Sequence, residues 1–267
     1  MKYSLVAIIA AWLALVTAPA LAHDTWIVAD APVIKAGGKV LFHITSGMEF
    51  PRFETAPEPL RLARADWRLG DQTGNISSFE KGETSTTVGG RVTNEGTGVV
   101  CVEFHPREID LEPEEVEHYF EEIGAPETVR RAWQDAGAGA GFHETYTKRA
   151  KTYVRVGDAG EDKSCLGSTS FAIDFLPDRD PTALKPGDRL TIRVVKGGDD
   201  EIEGLAVGAV CGSDGKTTLL RTNQSGAAVI PIHAGGWWLV RATELRRKAD
   251  GTWESDFTTM TFYVGEK

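Results

Sequence analysis

The sequence predicts a mainly β protein of two β-sandwich domains, immunoglobulin-like or transthyretin-like, the first carrying a short α-helical insertion. Three observations lead there. Short alternations of apolar and polar residues recur along the chain, as half-buried strands require. Clusters of Gly, Pro, Asp and Asn separate them at short intervals. A single stretch, Pro113 to Ala136, switches to helical periodicity.

Taken in order, residues 1–22 read as a signal peptide. Lys2 is followed by an apolar run from Leu5 to Val16, and Ala20-Leu21-Ala22 supplies the small-x-small cleavage pattern. Cleavage after Ala22 makes His23 the first residue of an exported, periplasmic protein. Val40, Phe42 and Ile44 then alternate with Leu41, His43 and Thr45, and Val100, Val102 and Phe104 repeat the pattern. In the helical stretch Val116, Tyr119, Phe120 and Ile123 fall on one face, as do Val129, Ala132, Trp133 and Ala136. Gly124-Ala125-Pro126 divides the two helices, with Pro126 suited to the first turn of the second. Residues 142–156 are expected to return toward strand by way of a turn or short helix.

The polar, Gly-rich run Gly157 to Asp162 marks an expected boundary between an N-terminal β domain (residues 23–160, insertion at about 113–136) and a C-terminal sandwich (residues 168–267). Seven strands are expected in the latter: Ser170 to Phe175, Arg189 to Val195, Ala206 to Val210, Thr217 to Thr222, Ala227 to Ile232, Trp237 to Glu244 and Phe257 to Val264.

Composition narrows the function. The 267 residues hold 39 Asp and Glu against 29 Lys and Arg, a net charge of −10. With no basic stripe, such a surface repels a phosphate backbone, so nucleic acid is excluded as a partner. Beyond the signal segment no run approaches the roughly 20 apolar residues of a membrane helix. Three cysteines permit one disulfide in an oxidising compartment, with Cys165–Cys211 the preferred pair and Cys101 a buried small residue in its strand.

Chemistry centres on His23. Once its α-amino group is free, the amine and Nδ1 can close a chelate ring on one ion, which an internal histidine cannot do. Asp24 is expected to add a carboxylate, and His143, or Glu144 beside it, a ligand from a distant segment. Nitrogen ligation of this kind suits copper or nickel. The remaining histidines carry plainer readings: His118 on a solvated helix face between Glu114 and Glu122, His105 ending a strand before Pro106, from where it can also point into a loop-built site, and His43 and His233 as structural residues. No HExxH, CxxC, phosphate loop or GxSxG elbow occurs, and no catalytic set is expected. Of Trp237 and Trp238, neighbours on a strand, one is expected in the core.

Several segments together resemble an exported bacterial family of unknown function described as NikM-like nickel-uptake components. They are His23-Asp24-Thr25-Trp26, Gly47-Met48-Glu49-Phe50, Phe120-Glu121-Glu122-Ile123-Gly124 with Arg131, Glu144 to Lys151, and Gly236 to Ala242. The resemblance implies a periplasmic accessory protein carrying β-sandwich domains and serving a membrane component for nickel or cobalt uptake. Lacking a membrane span after cleavage, the chain is expected to be a helper and not the permease. Two other readings stand beside this one: a structural or interaction β-sandwich module without metal, and an oxidative copper enzyme using the same terminal chelate.

Overall fold

A computed structural model describes residues 23–137, 141–158 and 160–266; the expected signal peptide lies outside the described residues. The chain is mainly β, arranged as three stacked sheets with two helices at one end. The middle sheet has ten strands. Across it run Thr217–Arg221, Ala206–Cys211, Gly236–Arg247, Trp253–Val264, Phe142–Val156, Gly96–Phe104, Leu62–Leu69 and Gln72–Asn75, while Val33–Ile34 and Arg107–Leu111 also pair with Phe142–Val156.

Residues from both sides of the glycine-rich 157–162 run share this sheet. Phe142–Val156 and Trp253–Val264 pair in parallel at its centre, from Glu144 opposite Trp253 to Thr152 opposite Thr261. One face of the sheet packs on Ile173–Pro177, Arg189–Lys196, Asp200–Glu201 and Ala227–Pro231. The other packs on Asp24–Ala29, Lys39–Gly47, Thr86–Arg91 and Glu80–Lys81. The strand Gly96–Phe104 shows why its sequence is a near-continuous apolar run. Val99 and Cys101 enter the first core with Tyr153, Phe175 and Trp238, while Val100, Val102 and Phe104 enter the second with Ile27, Phe42 and Ile44.

Polar pairs tie the layers. The Lys151 ammonium, fully buried, lies 2.6 Å from the Asp174 carboxylate and donates to the Phe175 carbonyl at 2.6 Å. Within the middle sheet, Arg149 bridges neighbouring strands through Asp256 at 2.5 Å and Glu103 at 3.0 Å. A charge buried this deeply is tolerated because it is paired and hydrogen-bonded.

The two expected helices form as Pro113–Glu122 and Glu127–Ala136, with Pro126 just outside the second as its N-cap. Glu112 and Glu115 make a capping box at the start of the first. Their apolar faces close over Phe142, Leu245, Trp253 and Phe257. Gly124, at φ +63°, has its Cβ position 2.5 Å from the Ala206 methyl, so the turn between the helices docks where no side chain fits.

Three sequence expectations need revision. Residues 142–156 form one uninterrupted strand and not a turn followed by a strand. A strand not expected, Asp24–Ala29, begins the described chain. The Cys165–Cys211 disulfide does not form. All three cysteines are free and buried, with the Cys165 thiol donating to the Arg68 carbonyl at 3.5 Å and the Cys211 sulfur 3.2 Å from the Ser213 hydroxyl. Burial pushes the Cys101 thiol up to about 12, which makes it the inert apolar residue expected.

Candidate functional site

The strand Asp24–Ala29 fixes where the expected mature terminus sits. Its Thr25 to Ala29 stretch is buried, and Trp26 packs edge-on against Phe50 at 5.6 Å. One edge pairs antiparallel with Lys39–Gly47, from Asp24 opposite Gly47 to Ala29 opposite Phe42. The backbone carbonyls of Thr25 and Ile27 instead accept from the Thr259 and Thr261 hydroxyls of the C-terminal strand. Residue 23 is thus held by ordered structure on its C-terminal side. Its own carbonyl accepts a hydrogen bond from Lys148 Nζ at 2.5 Å.

His23 opens onto a groove of about 930 Å³ that also takes in Arg61, His105, Arg107, Tyr119, Glu144, Tyr146 and Lys148. Three of these come from one face of Phe142–Val156, because residues two apart on a strand point the same way. Glu144 lies at the bottom. It is almost fully buried and accepts from the Tyr119 hydroxyl at 2.9 Å and from the Ser255 hydroxyl. Burial raises its pKa, against the opposing pull of those two hydrogen bonds and of Lys148.

Lys148 stands over the rings of Tyr146 and Phe257, at 5.6 and 5.7 Å from their centroids. Enclosure by protein lowers its pKa to about 8, although a strip of the side chain still reaches the open groove. Arg61, hydrogen-bonded to Tyr146, is also pushed down, by burial and by neighbouring Arg107. The groove therefore joins two imidazoles and a buried carboxyl to a cationic wall.

The three residues expected as metal ligands are not brought together. Asp24 lies on the opposite side of its strand from His23 and Thr25, in a separate cavity of about 570 Å³, where its carboxylate meets Arg241 at 2.5 Å. Burial raises its pKa in spite of that arginine. His143 sits on the face of its strand opposite Glu144, exposed beside Asp110 at 2.8 Å, and that hydrogen bond raises its pKa. Strand parity explains both separations: consecutive residues cannot share a face. Among the described residues, the one trio of His, Cys, Asp or Glu ligand atoms within 4.8 Å of one another lies elsewhere.

Other residues match their plain readings. His118 is exposed on its helix. His43 is stacked on Phe53 at 4.8 Å and hydrogen-bonded to Ser85, with burial lowering its pKa. Of the neighbouring tryptophans, Trp238 is the core residue, while Trp237 packs edge-on against Tyr263 at 5.6 Å. Sequence reasoning missed His105, Arg61, Arg107 and Lys148 as neighbours of His23. The alternation of Glu144, Tyr146 and Lys148 was the signal that could have grouped three of the groove's residues.

Fold and site together define a β-sandwich protein with a polar groove at its N-terminal strand. The chain belongs to the domain-of-unknown-function family DUF4198, whose model matches residues 20–245. No curated protein matches it. Among solved structures, the Yersinia pseudotuberculosis adhesin InvE aligns at 13% identity over 89% of this chain and 58% of its own, with a TM-score of 0.24. A Ca2+-stabilised adhesin with which an Antarctic bacterium binds ice aligns at 11% over 92% and 49%, TM-score 0.25. The Bacteroides ovatus mixed-linkage glucan protein SGBP-B aligns at 11% over 92% and 47%, TM-score 0.23. The chain spans less than two thirds of each, and likenesses this weak carry no inference about its role.

Proposed function

We propose that this is an exported metal-binding accessory protein that holds a nickel, cobalt or copper ion at its mature N-terminus and passes it to a membrane uptake component. The observation that carries this reading is the anchoring of residue 23. A buried strand follows it, Lys148 holds its carbonyl, and its groove also contains His105. Removal of residues 1–22 would turn the His23 amide into an amine, giving a two-nitrogen chelate on a fixed support. His105 would then supply a second imidazole from the groove wall. Preorganisation of this kind lowers the ordering cost of binding. The neighbouring cations oppose a bare metal ion, so affinity must come from short ligand bonds, with Arg61 and Arg107 placed to hold anionic co-ligands of the bound ion.

A second reading, an interaction module for an anionic ligand without metal, is favoured by that same cationic wall. Metal titrations separate the two. Protein with its natural His23 terminus should bind Ni2+ or Cu2+ at least about tenfold more tightly than protein carrying one extra residue before His23, and His105→Ala should weaken it further. Binding should also fade with acidification, because nitrogen ligands must shed protons. Equal affinity in native and extended forms would refute the chelate, as would an intact mass showing a mature chain that starts elsewhere.

A further inference from the structure

At the opposite end of the Gly236–Arg247 strand from the helices, two turns bring three unlike ligand groups to one point. The first is the tight link Cys211-Gly212-Ser213-Asp214-Gly215-Lys216 between Ala206–Cys211 and Thr217–Arg221; the second is the loop bearing His233. The sulfur of Cys211, a carboxylate oxygen of Asp214 and a ring nitrogen of His233 all lie within 4.8 Å of one another. We propose that Cys211, Asp214 and His233 form a binding site for a single divalent transition-metal ion of the zinc class, independent of the N-terminal groove.

The ligand types suit such an ion: one thiolate, one imidazole and one carboxylate, with a fourth position left for solvent. Tetrahedral bonds of about 2.0–2.3 Å put ligand atoms roughly 3.3–3.8 Å apart, so contraction of a few tenths of an ångström to about 1 Å completes the site. His233 Nε2 and Asp214 Oδ2, now 2.9 Å apart, would open slightly to admit the ion between them.

Each group is already oriented. Asp214 Oδ1 accepts from the Lys216 amide at 2.9 Å, which turns Oδ2 toward His233. The His233 ring lies edge-on to buried Trp238 at 5.0 Å, and the Trp238 indole is fixed by the Ala234 carbonyl at 3.1 Å. Gly212 runs so close to Phe50, Pro51 and the Trp237 carbonyl that a Cβ there would meet all three at 3.1 Å. The turn therefore has little freedom. A surface Asp–His pair needs no sulfur beneath it. Here a fully buried thiol forms the floor, and the oxygen and nitrogen form the mouth.

Binding replaces the S–H bond with a metal–sulfur bond and releases that one proton to solvent. His233 enters neutral, its ring proton moving to the nitrogen that faces away from the ion. Affinity should accordingly fall with pH.

The test uses reduced, chelator-stripped protein carrying His23→Ala, titrated with Co2+. We expect one equivalent to bind with a thiolate-to-cobalt charge-transfer band in the near ultraviolet, displaced by Zn2+. Cys211→Ser should abolish the band, while Asp214→Asn and His233→Ala should each weaken binding by at least about tenfold. The latter two lie at the surface and decide the matter even if Cys211→Ser fails to fold. No charge-transfer band, or a band whose affinity both surface variants leave unchanged, overturns the site. Neither result bears on the His23 chelate, which has no sulfur and is removed from this protein.

Discussion

Lys148→Met isolates one charge in the groove wall. The Lys148 pKa falls from an ordinary 10.5 to about 8, so folding disfavours its ammonium. Below about pH 8 the group is charged in both folded and unfolded chains, and the full burial cost is present. Between about 8 and 10.5 the folded protein has released the proton while the unfolded chain still holds it, so wild-type stability rises with pH. At about 1.4 kcal/mol per pH unit, the gain from pH 7 to pH 10 is at most roughly 2–3 kcal/mol. Water in the open groove screens part of it. At neutral pH the methionine variant sheds that cost but loses a charge-assisted hydrogen bond to the His23 carbonyl, of order 1.5–3 kcal/mol, so the two should nearly cancel. Urea unfolding of both proteins across this range is the assay, because every other lysine titrates in both and drops out of the difference. A wild-type-minus-variant difference that stays flat from pH 7 to pH 10 would refute the reasoning.

Three further outcomes follow from the same layers. Glu144, whose pKa burial raises above 4.5, keeps its proton in the fold to higher pH than in the unfolded chain, so its stabilising contribution is present at low pH and is lost as pH rises through the folded value. Thermal melts should show wild type losing stability relative to Glu144→Gln between pH 4.5 and neutrality, and parallel curves would contradict this. Tyr119→Phe removes one of the two hydroxyl donors to that carboxyl and should cost about 1–3 kcal/mol in chemical denaturation, with little change in helix content by circular dichroism. Asp174→Ala strands the Lys151 ammonium in the core and should cost about 3–5 kcal/mol in urea unfolding, whereas the double variant Lys151→Met/Asp174→Leu should recover part of it, since the Thr169 amide and hydroxyl lose their acceptor in both; equal loss in both would mean that those hydrogen bonds, not the charge, dominate there.

The C-terminal strands were legible because each carries its own alternation and ends at a glycine or aspartate turn, as Ala227–Pro231 does after Asn223 to Gly226. Asp24–Ala29 was not, since Trp26-Ile27-Val28-Ala29 is buried on both faces and shows no alternation to set it apart from the apolar residues before it in the sequence. Phe142–Val156 was legible only in part, because Lys148, Arg149 and Lys151 break its apolar alternation and their partners lie far along the chain. The groove itself was hidden by distance along the chain. Arg61, His105 and Glu144 meet only through the sheet, and a single step of strand parity decides that Glu144 faces it and His143 does not.

The parallel pairing of Phe142–Val156 with Trp253–Val264 dictates the order in which this molecule can be completed. Trp253–Val264, made long after Phe142–Val156, is a central strand flanked on its other side by Gly236–Arg247. Until it emerges, the earlier strand offers an open ladder of amide and carbonyl groups, and the Thr25 and Ile27 carbonyls lack the hydroxyls that later cover them. A half-made chain is therefore adhesive, and closure waits on contacts more than a hundred residues apart, which is slow. Holding the nascent protein extended until Trp253–Val264 arrives is the economical solution, and removing that strand should give aggregates and not a shortened fold.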